Sequence, residues 1–274
     1  MTGPSESETE SEIDCGALFR RVGGTFVPSA YTTGPWRTDA MHGGAASALM
    51  GVVVAEASEP DETVARVNVD LERPVPLSAL TPLVRRRTVS KRVAKVSVEL
   101  SADDVVVARA EALLLRGTGA DGEHHQVLPP QLTEEHRQQR FEDPPHGLPI
   151  IYSRESIEIR QVSGGFGDPL PTMAWMRLTR PVIAGEPNAA LAELLAVADF
   201  GSPLAQTAGP RLVAAYINVD VSVSLARAPV GPWFFLTAQR RSSPSGIALA
   251  SAEVADGHGA FATINQSLLA QPFR

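Results

Sequence analysis

The chain has 274 residues, 43% apolar and 20% charged, with a net charge of -7, an ordinary balance for a globular protein with material for one large core or two. No Lys/Arg cluster is interleaved with aromatic residues, which argues against a nucleic-acid groove. The longest apolar stretch, Ala45 to Ala57, is interrupted by Glu56 and is shorter than the roughly 20 residues that cross a bilayer, which argues against a membrane helix.

The opening stretch "MTGPSESETESE" is polar and acidic, whereas a secretory leader is basic and then apolar, so residues 1–14 are expected to be a disordered tail. The lone Cys15 leaves no internal disulfide framework and no Cys-based metal cluster, which fits a cytoplasmic protein. Next comes "GGAASALMGVVVAEA", which predicts a helix that includes Ala45 to Glu56. Its apolar residues occupy nearly the whole circumference, the mark of a helix enclosed on most sides. From Val64, "VARVNVDLERPVPL" alternates as a strand does, and "PLVRRRTVS", "AKVSVEL" and "VVVARAEALLL" follow as further strands.

A stretch rich in Gly, Pro and charge then reads as a connector over residues 118–149, within which "QLTEEHRQQRF" suggests a short surface helix with Thr133 near its start. Beyond it the first pattern returns. "NAALAELLAVAD" predicts a second helix, "VAAYINVDVSVSLARAPV" a strand region, and "WFFLTAQRRS", "ALASAEVA" and "GAFATINQSLL" the strands after it. Asn-Val-Asp occurs in both halves, at Asn68 to Asp70 and at Asn218 to Asp220. The predicted class is α+β, with one unit over residues 15–117 and a second over 150–274, each a helix wrapped by a curved antiparallel sheet.

In this order, "MHGGAASAL", "VNVDLERPV", "VADFGSPL", "WFFLTAQRRSSPSG" and "ATINQSLL" resemble the landmarks of the double-hotdog acyl-CoA thioesterases, the thioesterase II family. The resemblance covers nearly the whole chain from about residue 15. It implies two tandem hotdog units, assembly into homodimers or larger oligomers, and hydrolysis of a fatty acyl-CoA to free acid and coenzyme A. In that family an Asp on the second helix, a Thr on the following strand and a Gln on the last strand position a water against the thioester. The Asp falls on Asp199 and the amide on Gln266, with Asn265 the alternative; adjacent residues of a strand face opposite ways, so only one of the two can serve. At the Thr position the sequence departs from the pattern and carries Asn218, an amide in place of a hydroxyl.

Thioester hydrolysis needs an activated water, a polarised carbonyl and exclusion of bulk solvent; coenzyme A leaves as its thiolate. A carboxylate set in an apolar helix is a candidate base. His42, Gly43 and Gly44 open the first helix, where free backbone N–H groups can polarise a carbonyl and Gly admits close approach. Ser243 and Ser245, with Ser242, form a turn that could touch the coenzyme A moiety, and "RRRTVSKR" at 85–92 is the best basic patch for its phosphates, though it reads equally as a solvated strand edge. No His lies at metal-ligand spacing with Cys or paired acids, and neither a metal nor an organic cofactor is expected.

Simpler roles stand beside these. Asp199 could cap N–H groups of the turn "DFGSP", His42 could cap its helix, and the glycines could serve helix packing alone. A hydratase on this fold would carry a His shortly after the Asp, where the chain has Ala205, and no G-x-S-x-G elbow supports a serine hydrolase. A noncatalytic acyl-CoA or lipid-binding protein is the alternative, because Asn218 weakens the triad while a tunnel between helix and sheet would survive. The first half lacks an acid inside its helix, so one reactive centre per chain is expected.

Overall fold

A computed structural model describes residues 16–35, 37–119, 127–139, 150–164, 172–205 and 214–272. Cys15, the acidic tail and parts of the connector lie outside the described residues.

The first half begins with a hairpin, β1 (Phe19–Val22) and β2 (Thr25–Pro28), and then α1 (Gly43–Glu56). Every residue of α1 from Gly44 to Val54 is buried, as its all-round apolar surface predicts. β3 (Thr63–Leu71), β4 (Thr81–Ser90), β5 (Val93–Ala102) and β6 (Val105–Leu115) follow. The connector contributes a short strand, β7 (Arg137–Gln139), where a helix was expected: His136 N–H turns back to Thr133 O, and Arg137 to Gln139 pair antiparallel with β8 (Ile157–Ser163). Ladder bonds to β8 outweigh the weak helix preference of so polar a segment.

The second half continues with α2 (Tyr152–Glu155), just before β8, then β9 (Thr172–Leu178), α3 (Ala190–Ala198), the short α4 (Gly201–Leu204), β10 (Ala214–Asn218), β11 (Asp220–Leu225), β12 (Phe234–Ser242), β13 (Ile247–Asp256) and β14 (Gly259–Pro272).

One antiparallel sheet runs through both halves in the order β4-β5-β6-β3-β11-β14-β13-β12-β9-β8-β7, with β10 also on β14. The order is mirrored about the β3–β11 seam. There Asp70 pairs with Asp220, so the matching ends of the repeated Asn-Val-Asp meet at the centre. α1 and α3 lie together inside the sheet, antiparallel, with Gly44 against Ala196 and Gly51 against Ala192. A Cβ on Gly51 would lie 2.6 Å from Ala192 Cα, so glycine is what permits this approach. The fold is a double hotdog, and its two helices bring the start of α1 to the end of α3.

The Asn-Val-Asp copies differ in facing. In β3, Val67 and Val69 are buried and Asn68 faces outward, its Oδ1 accepting from Ser222 Oγ at 2.8 Å. In the second copy the ladder slips by one residue: Asn218 pairs with Leu268, but Ser222 pairs with Asn265. Val219 is the extra residue, exposed between β10 and β11, and the bulge turns Asn218 inward beside Leu268.

Candidate active site

Asp199 is the C-cap residue of α3 and only 4% exposed. A carboxylate there opposes the dipole of its own helix, but the antiparallel packing sets it against the N-terminus of α1, where negative charge is favoured. A Cβ on Gly43 would lie 2.9 Å from Asp199 Oδ2, so the bare glycine backbone is what lets the carboxylate reach α1.

Side chains from other elements converge on this acid. Asn218 Nδ2 donates to Asp199 Oδ1. Gln266 Nε2, from β14, donates to the Asp199 backbone O at 3.1 Å and lies 3.5 Å from Oδ1. His42 Nδ1 lies 2.9 Å from Asp199 Oδ2. In the following turn Phe200 N–H bonds Val197 O and Leu204 N–H bonds Phe200 O, so neither of these two is capped by the Asp199 side chain.

Gln266 is wholly buried, in line with Ile264 and Leu268, whereas Asn265 is on the exposed face. Its amide orientation is fixed by Asp199, because the reverse would turn a carbonyl oxygen toward the carboxylate. Gln266 Oε1 is left buried with no hydrogen-bond partner among the described residues, beside Gly201, whose missing side chain makes room for it.

Two aromatic residues that sequence reasoning passed over complete the wall. Phe200 stacks on the His42 ring at 5.1 Å and Tyr152 lies 4.8 Å from it. Tyr152 O–H donates to Ala196 O at 2.8 Å. Burial, and then the nearby Asp199 charge, push the Tyr152 phenol well up, so it stays a neutral donor. Nothing near "IIYSRES" signals this role; it arises from the packing of α2 against the two central helices.

The structure does not bring Ser243 and Ser245 to Asp199. Their hydroxyls bond each other at 2.9 Å in the exposed β12–β13 turn, which is tied to Ala270 N–H. Ala270 is four residues along β14 from Gln266, about 13 Å in an extended strand. The basic patch lies on the edge strand β4, where Arg86 is already held by Glu62 and Glu59 and Arg85 by Glu99.

Among the described residues the first half has no matching set. The C-cap of α1 is Ala57 where that of α3 is Asp199, and the inward positions of β6 are Ala108, Ala110, Ala112 and Leu114. Arg21 ties Glu56, at the end of α1, to Glu186. Among the described residues no group of three or more His, Cys, Asp and Glu could hold a metal ion, and no helix is long and apolar enough to cross a membrane.

Family models match both halves: an acyl-CoA thioesterase N-terminal domain over residues 32–115 and an acyl-CoA thioesterase C-terminal domain over 129–270. Among solved structures, a conserved protein of unknown function with a hot dog fold from Alicyclobacillus acidocaldarius is 16% identical at a TM-score of 0.68, over 96% of this chain and 99% of that one. A tesB protein from Mycobacterium avium subs paratuberculosis is 18% identical at 0.65, over 98% and 100%. Acyl-CoA thioesterase II TesB2 from Mycobacterium marinum is 14% identical at 0.65, over 95% and 98%. At these identities the likeness speaks to the fold. No curated protein matches the sequence. With both of its domains matched in order, the chain belongs to the acyl-CoA thioesterase family and is a thioester hydrolase.

Proposed function

We propose that this enzyme hydrolyses a fatty acyl-CoA to free acid and coenzyme A, with Asp199 orienting and deprotonating the attacking water. The observation that supports this reading is the convergence of Asn218, Gln266, His42 and the α1 N-terminus on one buried carboxylate within an apolar core.

The water oxygen attacks the thioester carbon as its proton passes to Asp199, and the carbonyl π pair moves onto oxygen. The resulting oxyanion faces the Gly43 and Gly44 N–H groups, each worth on the order of 3 kcal/mol to the transition state. Collapse breaks the C–S bond, coenzyme A leaves as its thiolate, and Asp199 returns its proton to solvent. Asn218 and Gln266 hold the carboxylate in place, and the unpartnered Gln266 Oε1 is free to accept the second hydrogen of the water. No metal or organic cofactor takes part in this scheme.

Residues 15–117 and 150–274 are taken as the two units and 118–149 as the connector, in a cytoplasmic homodimer or larger oligomer serving fatty acid metabolism. Asn218, in place of the hydroxyl of the family pattern, favours one second reading, a noncatalytic acyl-CoA or lipid-binding protein. Short-, medium- and long-chain acyl-CoA offered to the purified protein with a thiol-reactive dye separate the two. Thiol release that saturates with one of them is expected; tight binding of all without release would establish the binder.

A further inference from the structure

His42 Nδ1 has two neighbours with opposite demands. Gly44 N–H donates to it at 3.0 Å, which needs a lone pair, while Asp199 Oδ2 lies 2.9 Å away, which needs a proton. The nitrogen has a single in-plane position, holding one or the other but not both. A bare Nδ1 facing an ionised carboxylate at that distance sets lone pair against lone pair, so an ionised Asp199 selects the ring form with hydrogen on Nδ1. Gly44 N–H then has no acceptor in His42. The carbonyl oxygen of His42 does not relieve it, being already bonded by Ala45 N–H at 3.0 Å and approached by Ala46 N–H at 3.3 Å.

We infer that His42 is a positioning residue that couples the acid to the oxyanion donor: when Asp199 is ionised, the His42 Nδ1 proton turns to Oδ2 and Gly44 N–H is released to the thioester carbonyl. The inference rests on the reading of Asp199 as the base. The ring is held for this by Phe200 on one side and Tyr152 on another, and Gly44 is pinned, since a Cβ there would meet Ala196 O at 2.8 Å and Tyr152 Cε1 at 2.9 Å. In the opposite arrangement Nδ1 carries the lone pair, caps Gly44 and blocks the donor. Proton acceptor and carbonyl donor are thereby made ready together.

The test is the protonation of the His42 ring nitrogens, read by nitrogen-15 NMR of the histidine-labelled full-length protein, with the signal assigned by its loss in His42→Asn. A hydrogen on Nδ1 in the wild type, in the neutral or the cationic ring, is the expected result. In Asp199→Asn, Asn218 still donates to Oδ1, so the new amide turns its NH₂ toward His42 and Nδ1 should lose its hydrogen. A bare Nδ1 in the wild type, or a ring unaffected by Asp199→Asn, would overturn the proposal and leave His42 a helix cap. This readout needs no turnover, so it stands even if the protein proves to hydrolyse nothing, a result that would sink the catalytic reading separately. In kinetics, His42→Asn supplies one of the strongest N-cap residues and permanently occupies Gly44 N–H. It should keep the melting temperature and lower kcat by on the order of 10²-fold, the scale of one lost oxyanion donor; unchanged kcat would equally overturn the coupling.

Discussion

Asp70 on β3 and Asp220 on β11 stand opposite each other on the outer face of the sheet, at the seam where the two halves join. Burial, and then the charges of Asp220, Glu72 and Glu111, raise the Asp70 carboxyl above the ordinary range. Like charges directly opposed on neighbouring strands are destabilising by about 0.2–1 kcal/mol. Asp70→Asn should therefore raise the melting temperature at pH 7 by roughly 1–3 °C. The sign follows from the raised value: the ionised form is the one the fold disfavours, so the gain should shrink as pH falls through the Asp70 pKa. A variant that melts lower at pH 7 would show that the seam tolerates this charge without cost.

Replacing the central acid tests its chemistry against its packing. Asp199→Asn keeps the shape of the side chain while removing the negative charge and the proton acceptor. Single-turnover thiol release should fall roughly 10²- to 10⁴-fold with acyl-CoA binding retained. Persisting turnover together with a melting point lowered by the equivalent of about 1 kcal/mol would make Asp199 a structural residue.

Gly51→Ala probes the contact between the two helices. Its Cβ would fall 2.6 Å from Ala192 Cα and 3.0 Å from Ala192 N, backbone atoms that no rotamer change can move. Overpacking of this kind costs about 1–3 kcal/mol, a loss of roughly 3–10 °C in melting temperature. An unshifted melt would mean that the helices have room to separate.

Much of the architecture was legible in the sequence. The all-round apolar pattern of α1, the alternation of β3, β5 and β6, and the repeated order of elements announce two helices wrapped by strands. β8 carried a signal as well, since Ile157 and Ile159 alternate with Glu158 and Arg160, although no strand was read there. In β14, Ile264 and Leu268 share parity with Gln266, so its inward direction can be read from the letters alone. Asn218 is different. The Asn and Val of the same three letters face opposite ways in β3 and at the β10–β11 bulge, and no Gly or Pro marks Val219 as the extra residue. The contacts of His42 with Asp199 and of Tyr152 with Ala196 join residues distant in sequence, and helix packing alone creates them.

Acid should reach the fold through another carboxylate. Burial works against ionising Asp256, but the Arg227 guanidinium and the N–H groups of His258 and Val230 outweigh it and hold the carboxyl below its ordinary range. A depressed folded value means that this stability is present above the unfolded pKa, about 3.9, and is lost as pH falls through the folded one. Arg227→Met leaves the buried acid unpaired and should cost about 3 kcal/mol in urea denaturation at pH 7. The penalty should decline toward pH 4 as Asp256 takes up a proton; equal loss at both pH values would assign it to packing.

The end of the molecule that holds Asp199 is assembled from the start of one half's helix and the end of the other's, while at the opposite end Arg21 bridges Glu56 and Glu186. In a pair of identical subunits these two ends would be copies, and any change tolerated at one would have to be tolerated at both. Covalent fusion removes that obligation. One end is free to do without a buried carboxylate and serve as a buttress while the other keeps one, and a cut between the halves would part His42 and Gly43 from Asp199, Asn218 and Gln266.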